Sequence, residues 1–185
     1  MQSMSGHIAK TLKALRQQRG WSLDKTAQKT GVSKAMLGQI EREESSPTVA
    51  ILWKIATGFQ VSFSTFLAES TLNSETLIDR SASQLNPQSN EEQIRINALF
   101  PFDEQLGFEM FVIELLPGCE QLSSPHEPGV IEHVIVIGGD MEVLINQVWH
   151  CLRCGEGLRF DAHQPHGYRN KGSMSAFFHN IIHYP

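Results

Sequence analysis

Ser22-Leu23-Asp24-Lys25-Thr26-Ala27-Gln28-Lys29-Thr30-Gly31-Val32-Ser33-Lys34-Ala35-Met36-Leu37-Gly38-Gln39-Ile40-Glu41-Arg42 decides how the first part of this chain folds. Ser22 is a short hydroxyl residue suited to cap a helix start. Leu23, Thr26 and Ala27 follow at helical spacing and predict one inward face. Gly31 breaks that helix, because glycine takes the left-handed backbone at little cost. Ser33 then caps a second helix that runs to about Arg42, with Met36, Leu37 and Ile40 as its apolar stripe. Two short helices thus flank a tight turn at Thr30-Gly31-Val32.

On the N-terminal side of this pair, Ile8, Ala9, Leu12 and Leu15 recur with a helical period, while Lys10, Lys13, Arg16 and Arg19 occupy the other faces. Gly20 ends that helix. Ser45-Ser46-Pro47 forms a turn, and Thr48 caps a further helix carrying Ile51, Leu52, Ile55 and Ala56. Gly58 is expected to end it, and a short fifth helix at about 64–67 closes the module. The central pair, two helices across a tight turn, is a helix-turn-helix, whose second helix can enter the DNA major groove.

Several positions at fixed spacing carry a resemblance. Leu15-Arg16, Trp21-Ser22-Leu23, Ala27, Gly31-Val32-Ser33, Leu37, Gln39-Ile40-Glu41-Arg42, Pro47-Thr48, Leu52 and Ile55-Ala56 resemble the phage repressor and Cro-like (XRE) helix-turn-helix family. The resemblance implies that Lys34, Ala35, Gly38 and Gln39 lie on the exposed side of the recognition helix and face base edges. Gln39 can pair bidentately with adenine, and Lys34 can reach guanine or a phosphate. It also implies that Ser22, Gln28, Ser33, Arg42, Ser45 and Ser46 position phosphates. One departure is Glu43-Glu44, where a glycine often follows Glu-Arg, and it is expected to reshape the turn after the recognition helix.

Charge separates this module from the rest. The 185 residues hold 15 Lys and Arg against 20 Asp and Glu, a net charge of -5. Residues 1–70 hold nine basic and five acidic residues, a balance of +4, which leaves -9 for residues 71–185. Seven of the eight His and all three Cys also fall after residue 70. Such a contrast implies two modules with different partners. Hydrophobic residues at 41% and charged residues at 19% fit a globular chain, not a disordered one.

From 70 to 93, Ser, Asn, Gln and Glu dominate, and Asn86-Pro87-Gln88-Ser89-Asn90 is turn-rich. This reads as a linker between a helical domain at 7–69 and a second domain at 94–185. There the pattern changes to short strands. Ile94–Leu99 alternates, Gly107–Leu116 is apolar up to Pro117-Gly118, and Val130–Ile137 stops at Gly138-Gly139. Met141–Ile145, Gln147–Leu152, 158–160, His166–Asn170 and Met174–Ile182 complete the set. Short strands between Gly/Pro turns favour a sandwich or closed barrel. Phe108, Met110, Val112, Val134, Val136, Phe160 and Phe178 are candidates for its interior.

Two clusters narrow the choice. Gly118, Ser124, His126, Glu132 and Gly139 form one; Gly155, Asp161, His163, His166 and Asn170 form the other. They resemble the two motifs of the cupin family, a small double-stranded β-barrel of the jelly-roll kind. The resemblance implies a metal or effector pocket built from Ser124, His126, Glu132 and His166. Ser124 stands where the family places a first histidine, so His126, Glu132 and His166 remain as ligands for a divalent ion, with water completing the shell. His163 is expected near the barrel mouth, and His133, beside Glu132 on a strand, should face the opposite way.

The expected fold is therefore two-domain α plus β: a five-helix Cro/repressor-like domain and a C-terminal cupin double-stranded β-barrel. Together the halves resemble bacterial transcriptional regulators. That implies sequence-specific binding of a double-stranded DNA operator, a homodimer, and a cupin that senses a small-molecule effector. The competing reading is a metal-dependent cupin oxygenase or isomerase tethered to a DNA-binding domain. A third is a cupin that only dimerises. No apolar run approaches the roughly 18 residues of a membrane span, and Met1 to Lys13 lacks the pattern of a secretory signal. Three Cys cannot all pair within one chain. A cytoplasmic location without membrane contact is expected. Cys151-Leu-Arg-Cys154 is a lone CxxC on a predicted strand and reads as structural thiols.

Overall fold

The computed structural model describes residues 4–67 and 93–185. The chain divides into two compact units, Met1–Ser74 and Glu75–Pro185. The expected linker at 70–93 lies outside the described residues, apart from Gln93. No helix among the described residues is long and apolar enough to cross a membrane.

Among the described residues, the first unit holds four α-helices: α1 (Met4–Gln18), α2 (Leu23–Thr30), α3 (Lys34–Glu41) and α4 (Val49–Phe59). The expected fifth helix is a four-residue 3-10 helix, Phe63–Phe66, instead. Its amides reach back three residues, Thr65 to the Ser62 carbonyl and Leu67 to that of Ser64. So short a segment cannot close a run of i to i−4 bonds. The starts follow the sequence: Ser22, Ser33 and Thr48 accept from the amides of Lys25, Met36 and Ile51, each at 3.2 Å. Gly31 caps α2 with φ +67°. Gly58 does not end α4, which runs on to Phe59 and is capped by Gln60 at φ +54°. Gly58 serves packing: a Cβ there would lie 2.6 Å from the Thr30 Cα, so α2 and α4 approach through it. Leu12, Leu37, Leu52, Ile55, Phe59 and Phe66 are buried in the core of this unit.

Among the described residues, the second unit holds nine strands: β1 (Ile94–Asp103), β2 (Phe108–Leu115), β3 (Glu120–Ser123), β4 (Ile131–Gly138), β5 (Asp140–Ile145), β6 (Val148–Arg153), β7 (Gly157–Asp161), β8 (His166–Arg169) and β9 (Ala176–His183). Only β3 was not foreshadowed; four residues whose one apolar side chain, Leu122, is exposed carry little pattern. One sheet runs β1-β2-β9-β4-β7 and the other β3-β8-β5-β6, with antiparallel pairing throughout. With β1 set aside, that order is the eight-stranded double sheet of a jelly roll.

Val134, Val136, Phe160 and Phe178 are buried as expected. Phe108, Met110 and Val112 are not: β2 buries Glu109, Phe111, Ile113 and Leu115. Both sets of alternate residues in β2 are largely apolar, and the charged Glu109 points to the wrong face when read alone. A register shift of one residue exchanges the faces of the whole strand.

Candidate functional site

Helix α3 is the candidate DNA-reading element. Leu37 and Ile40 anchor it in the core, while Ser33, Lys34, Ala35 and Gln39 are exposed. Gly38 was expected on the exposed side and is buried instead. A Cβ there would lie 3.0 Å from an Arg42 side-chain nitrogen and 3.8 Å, an ordinary contact, from the Leu23 side chain, so the Arg42 guanidinium covers Gly38. Arg16 fixes the other side of the helix. Its Nε and one terminal nitrogen donate to the two oxygens of Glu41 at 2.6 and 2.8 Å, and its second terminal nitrogen donates to the Trp21 carbonyl.

The candidate contacts are pre-arranged by neighbours. Lys34 Nζ lies 2.8 Å from Asp24 Oδ2, and Arg42 forms a two-pronged pair with Glu44 at 2.8 and 2.7 Å. Hydrogen bonding to Glu44 raises the pKa of Arg42, and that of Glu44 is lowered in return. Ser22 and Ser33 hydroxyls serve as helix caps, leaving backbone amides of the first turns to face outward. Gln28 is exposed on α2; Ser45 Oγ approaches Met36 Sδ at 4.0 Å, and Ser46 Oγ lies 3.0 Å from Ser5 Oγ. After α3 the Glu43 amide donates to Ile40 and the Glu44 amide to Gln39, with Glu43 at φ +59°. This is the Schellman arrangement, which usually places glycine where Glu43 stands.

The second site lies inside the β unit. Glu132 on β4 is 1% exposed, His166 on β8 is 2% exposed, and His126 precedes β4 in a loop. Nε2 of His126 lies 2.8 Å and Nε2 of His166 3.2 Å from the same oxygen, Glu132 Oε1. The other oxygen, Oε2, accepts from the Tyr168 hydroxyl and, at 3.0 Å, from Asn180 Nδ2. Burial alone would raise the Glu132 pKa; the two imidazoles outweigh it and hold the carboxyl well below the ordinary range. Burial opposes the charged form of His166, and Glu132 more than offsets it, so that pKa is raised. Tyr168 is pushed up by burial and by the Glu132 charge and stays a donor.

The donor set fits a divalent metal ion. One ligand atom from each of His126, Glu132 and His166 lies within 4.8 Å of the others. Nδ1 of His166 faces the Gln164 carbonyl at 2.9 Å, so it carries the ring proton and Nε2 presents a lone pair. That Nε2 is buried and, although 3.2 Å from Glu132 Oε1, lacks the alignment of a hydrogen bond. A lone pair facing a carboxylate oxygen requires a cation, a proton or a metal, to hold the arrangement. Two imidazoles and one carboxylate suit Zn²⁺ or Fe²⁺ and leave coordination positions open.

Ser124 is exposed in the segment after β3. His163 is also exposed and pairs with Asp161 at 2.6 Å. By register His133 lies on the outer face of its sheet. Cys151 and Cys154 are exposed free thiols, whereas Cys119 is buried and burial pushes its pKa up to about 11. Tyr168 and Asn180 were not singled out by spacing. Tyr168 sits two residues beyond His166 and so shares its strand face, and Asn180 is a polar residue on a buried face of β9 otherwise made of Ala176, Phe178 and Ile182.

Comparison with known proteins agrees with both halves. A helix-turn-helix family model matches residues 12–66 and a cupin domain model matches residues 111–182. The HTH-type transcriptional regulator SutR of Escherichia coli (strain K12) is 51% identical over 185 residues, covering 100% of this chain and 99% of that protein. The crystal structure of an HTH_3 family transcriptional regulator from Vibrio cholerae is similar at TM-score 0.84 and 48% identity, covering 98% of this chain and 97% of that one. The cupin domain of an XRE family transcriptional regulator from Enterobacter cloacae covers 51% of this chain and 99% of its own, at 47% identity and TM-score 0.50. The chain belongs to the helix-turn-helix transcriptional regulators that carry a C-terminal cupin domain.

Proposed function

We propose that this regulator binds a specific double-stranded operator as a homodimer in the cytoplasm, and that its cupin domain is a small-molecule sensor and not an enzyme. The observation that carries the DNA reading is α3 itself. It is capped by Ser33, buried along Leu37 and Ile40, locked by Arg16–Glu41, and exposes Lys34, Ala35 and Gln39. Gln39 reads a base edge, Lys34 exchanges Asp24 for DNA, and Arg42 exchanges Glu44 for a phosphate. Amides and hydroxyls of Ser22, Gln28, Ser33, Ser45 and Ser46 supply positioning contacts to the backbone. Two copies place their α3 helices about 34 Å apart or a multiple of it, on a near-palindromic site.

The His126–Glu132–His166 site supplies the sensing end. A bound divalent ion would contribute Lewis acidity and open positions. The protein's own part is to fix Glu132 through Tyr168 and Asn180 and to exclude bulk water. An effector shifts DNA affinity only by binding the two functional states unequally.

A selected operator tests the recognition helix. Lys34→Ala with Gln39→Ala should lower affinity at least about 30-fold, from about 1–3 kcal/mol per lost base contact, while the circular dichroism melt stays unchanged. Unchanged affinity by fluorescence anisotropy would sink the assignment. The two-imidazole, one-carboxylate donor set also favours the tethered-enzyme reading, since oxygenases use it. Turnover by the metal-loaded chain in a substrate screen would establish that reading.

A further inference from the structure

The helical unit is basic overall, at +4 over residues 1–70, yet its reading face is not. Lys34 and Arg42 are the cations of α3 and its C-terminal cap, and Asp24, Glu43 and Glu44 stand beside them, all exposed. Lys34 Nζ lies 2.8 Å from Asp24 Oδ2. Arg42 donates from Nε and a terminal nitrogen to the two oxygens of Glu44, at 2.8 and 2.7 Å. By contrast, Lys10, Lys13, Lys25, Lys29 and Lys54 are exposed outside α3 and pair with no carboxylate among the described residues.

We propose that Asp24 and Glu44 are built-in competitors for DNA. Each holds a recognition cation in the free protein and keeps the affinity for operator and non-operator duplex below what unpaired cations would reach. The inference rests on the reading of α3 as the recognition helix and gives a role to two residues outside its contact set.

Placement is the first argument. The described part of the unit has four carboxylates, Asp24, Glu41, Glu43 and Glu44. Glu41 is tied to Arg16 at the back of α3. The other three gather where the cations would meet DNA, and none is paired with the five lysines elsewhere.

Stability is the second argument, because it does not account for the two pairs. Their side chains are 52% to 67% exposed, and ion pairs in water contribute little to folding. Glu44 follows the C-terminal end of α3, where the helix dipole disfavours a negative charge. Asp24 does suit the first turn of α2. That role and competition have opposite signs in DNA binding: removing a helix stabiliser does not raise affinity, whereas removing a competitor does.

For DNA binding the same pairs count directly. A cation reaches a phosphate or a base edge only by leaving its carboxylate, so the strength of the pair is lost from the contact. For an exposed pair that loss is a factor of about five at most.

Fluorescence anisotropy of the full chain at low salt, on a selected operator and on a random-sequence duplex, tests the proposal. Asp24→Asn and Glu44→Gln should each raise operator affinity about twofold to fivefold, and the gains should multiply in the double variant, as for independent sites. The gain on random duplex should be no larger, and both should shrink as salt screens the exposed pairs. Most of each gain should vanish without the partner cation, for Asp24→Asn in Lys34→Ala and for Glu44→Gln in Arg42→Ala. Affinity unchanged or lowered by either substitution strikes that residue from the role. A gain of full size without the partner cation overturns the pairing as its cause. Lys34→Ala with Gln39→Ala separates this inference from the reading it rests on. Wild-type operator affinity there overturns the recognition helix and the competitors with it, whereas lost affinity there beside inert carboxylate variants overturns the competitors alone.

Discussion

At the scale of single residues, two positions depart from what their surroundings favour. Glu43 holds a left-handed backbone at the end of α3, φ +59°, where a side chain is disfavoured by about 1–2 kcal/mol. Glu43→Gly should therefore stabilise the helical unit by roughly 1 kcal/mol, net of the extra freedom glycine gives the unfolded chain. Urea unfolding followed by circular dichroism measures it; a loss of stability would show that Glu43 contributes through its carboxylate. Glu132 is the other. Its Oε2 accepts from Tyr168 and Asn180, and its Oε1 lies 2.8 Å from His126 Nε2 and 3.2 Å from the unaligned His166 Nε2, so four groups converge on a single buried carboxylate. Removing the Tyr168 hydroxyl frees Oε2 to swing. Tyr168→Phe should lower Zn²⁺ affinity about 10–100-fold, the usual effect of a partner that orients a ligand. Isothermal titration of the full chain reads this directly, and equal affinity would mean that Asn180 alone fixes the carboxylate.

At the scale of elements, α3 is held by few but strong constraints. Its recognition face carries no apolar anchor, so its orientation comes from Leu37, Ile40 and the Arg16–Glu41 pair. The side chains of that pair are only 17% and 9% exposed. Hydrogen bonding to Glu41 raises the Arg16 pKa against the cost of burial. Arg16→Ala strands Glu41 and should cost about 3 kcal/mol, within the range for breaking a partly buried pair. Operator affinity should fall with it, although Arg16 faces the protein and not the DNA. Thermal denaturation beside anisotropy tests both effects. In the β unit the same principle of local register decides content. The alternation in β2 was legible as a strand but not as a direction, because both faces are apolar enough to be buried. Tyr184 settles it by donating to Glu109 inside the unit at 2.5 Å.

At the scale of the whole molecule, the charge contrast between halves acquires a physical role. The basic helical unit offers the cations, and the acidic β unit, at -9 over residues 71–185, repels phosphate. Binding to random-sequence duplex should therefore be confined to the helical unit and weaken steeply with salt. Lys34→Ala and Arg42→Ala should each reduce the slope of log affinity against log salt by about 1. A slope untouched by either change would place the phosphate contacts elsewhere on the unit.

The sequence by itself determined the local elements. Hydroxyl caps at Ser22, Ser33 and Thr48, the glycine stop at Gly31 and the apolar period fixed α2, α3 and α4, because capping and helical spacing are properties of neighbours along the chain. His126, Glu132 and His166 were likewise legible, since their spacing carries the resemblance that named them. Tertiary structure alone decided what depends on distant residues. Gly38 turned inward because Leu23 and Arg42 pack over it, and Gly58 lies within α4 because α2 crosses there. Tyr168 and Asn180 joined the buried site because β8 and β9, from opposite sheets, bring their donors to one carboxylate oxygen. Spacing along a chain records which way a side chain faces within its own element; only the packing of elements from far apart in sequence selects what it meets.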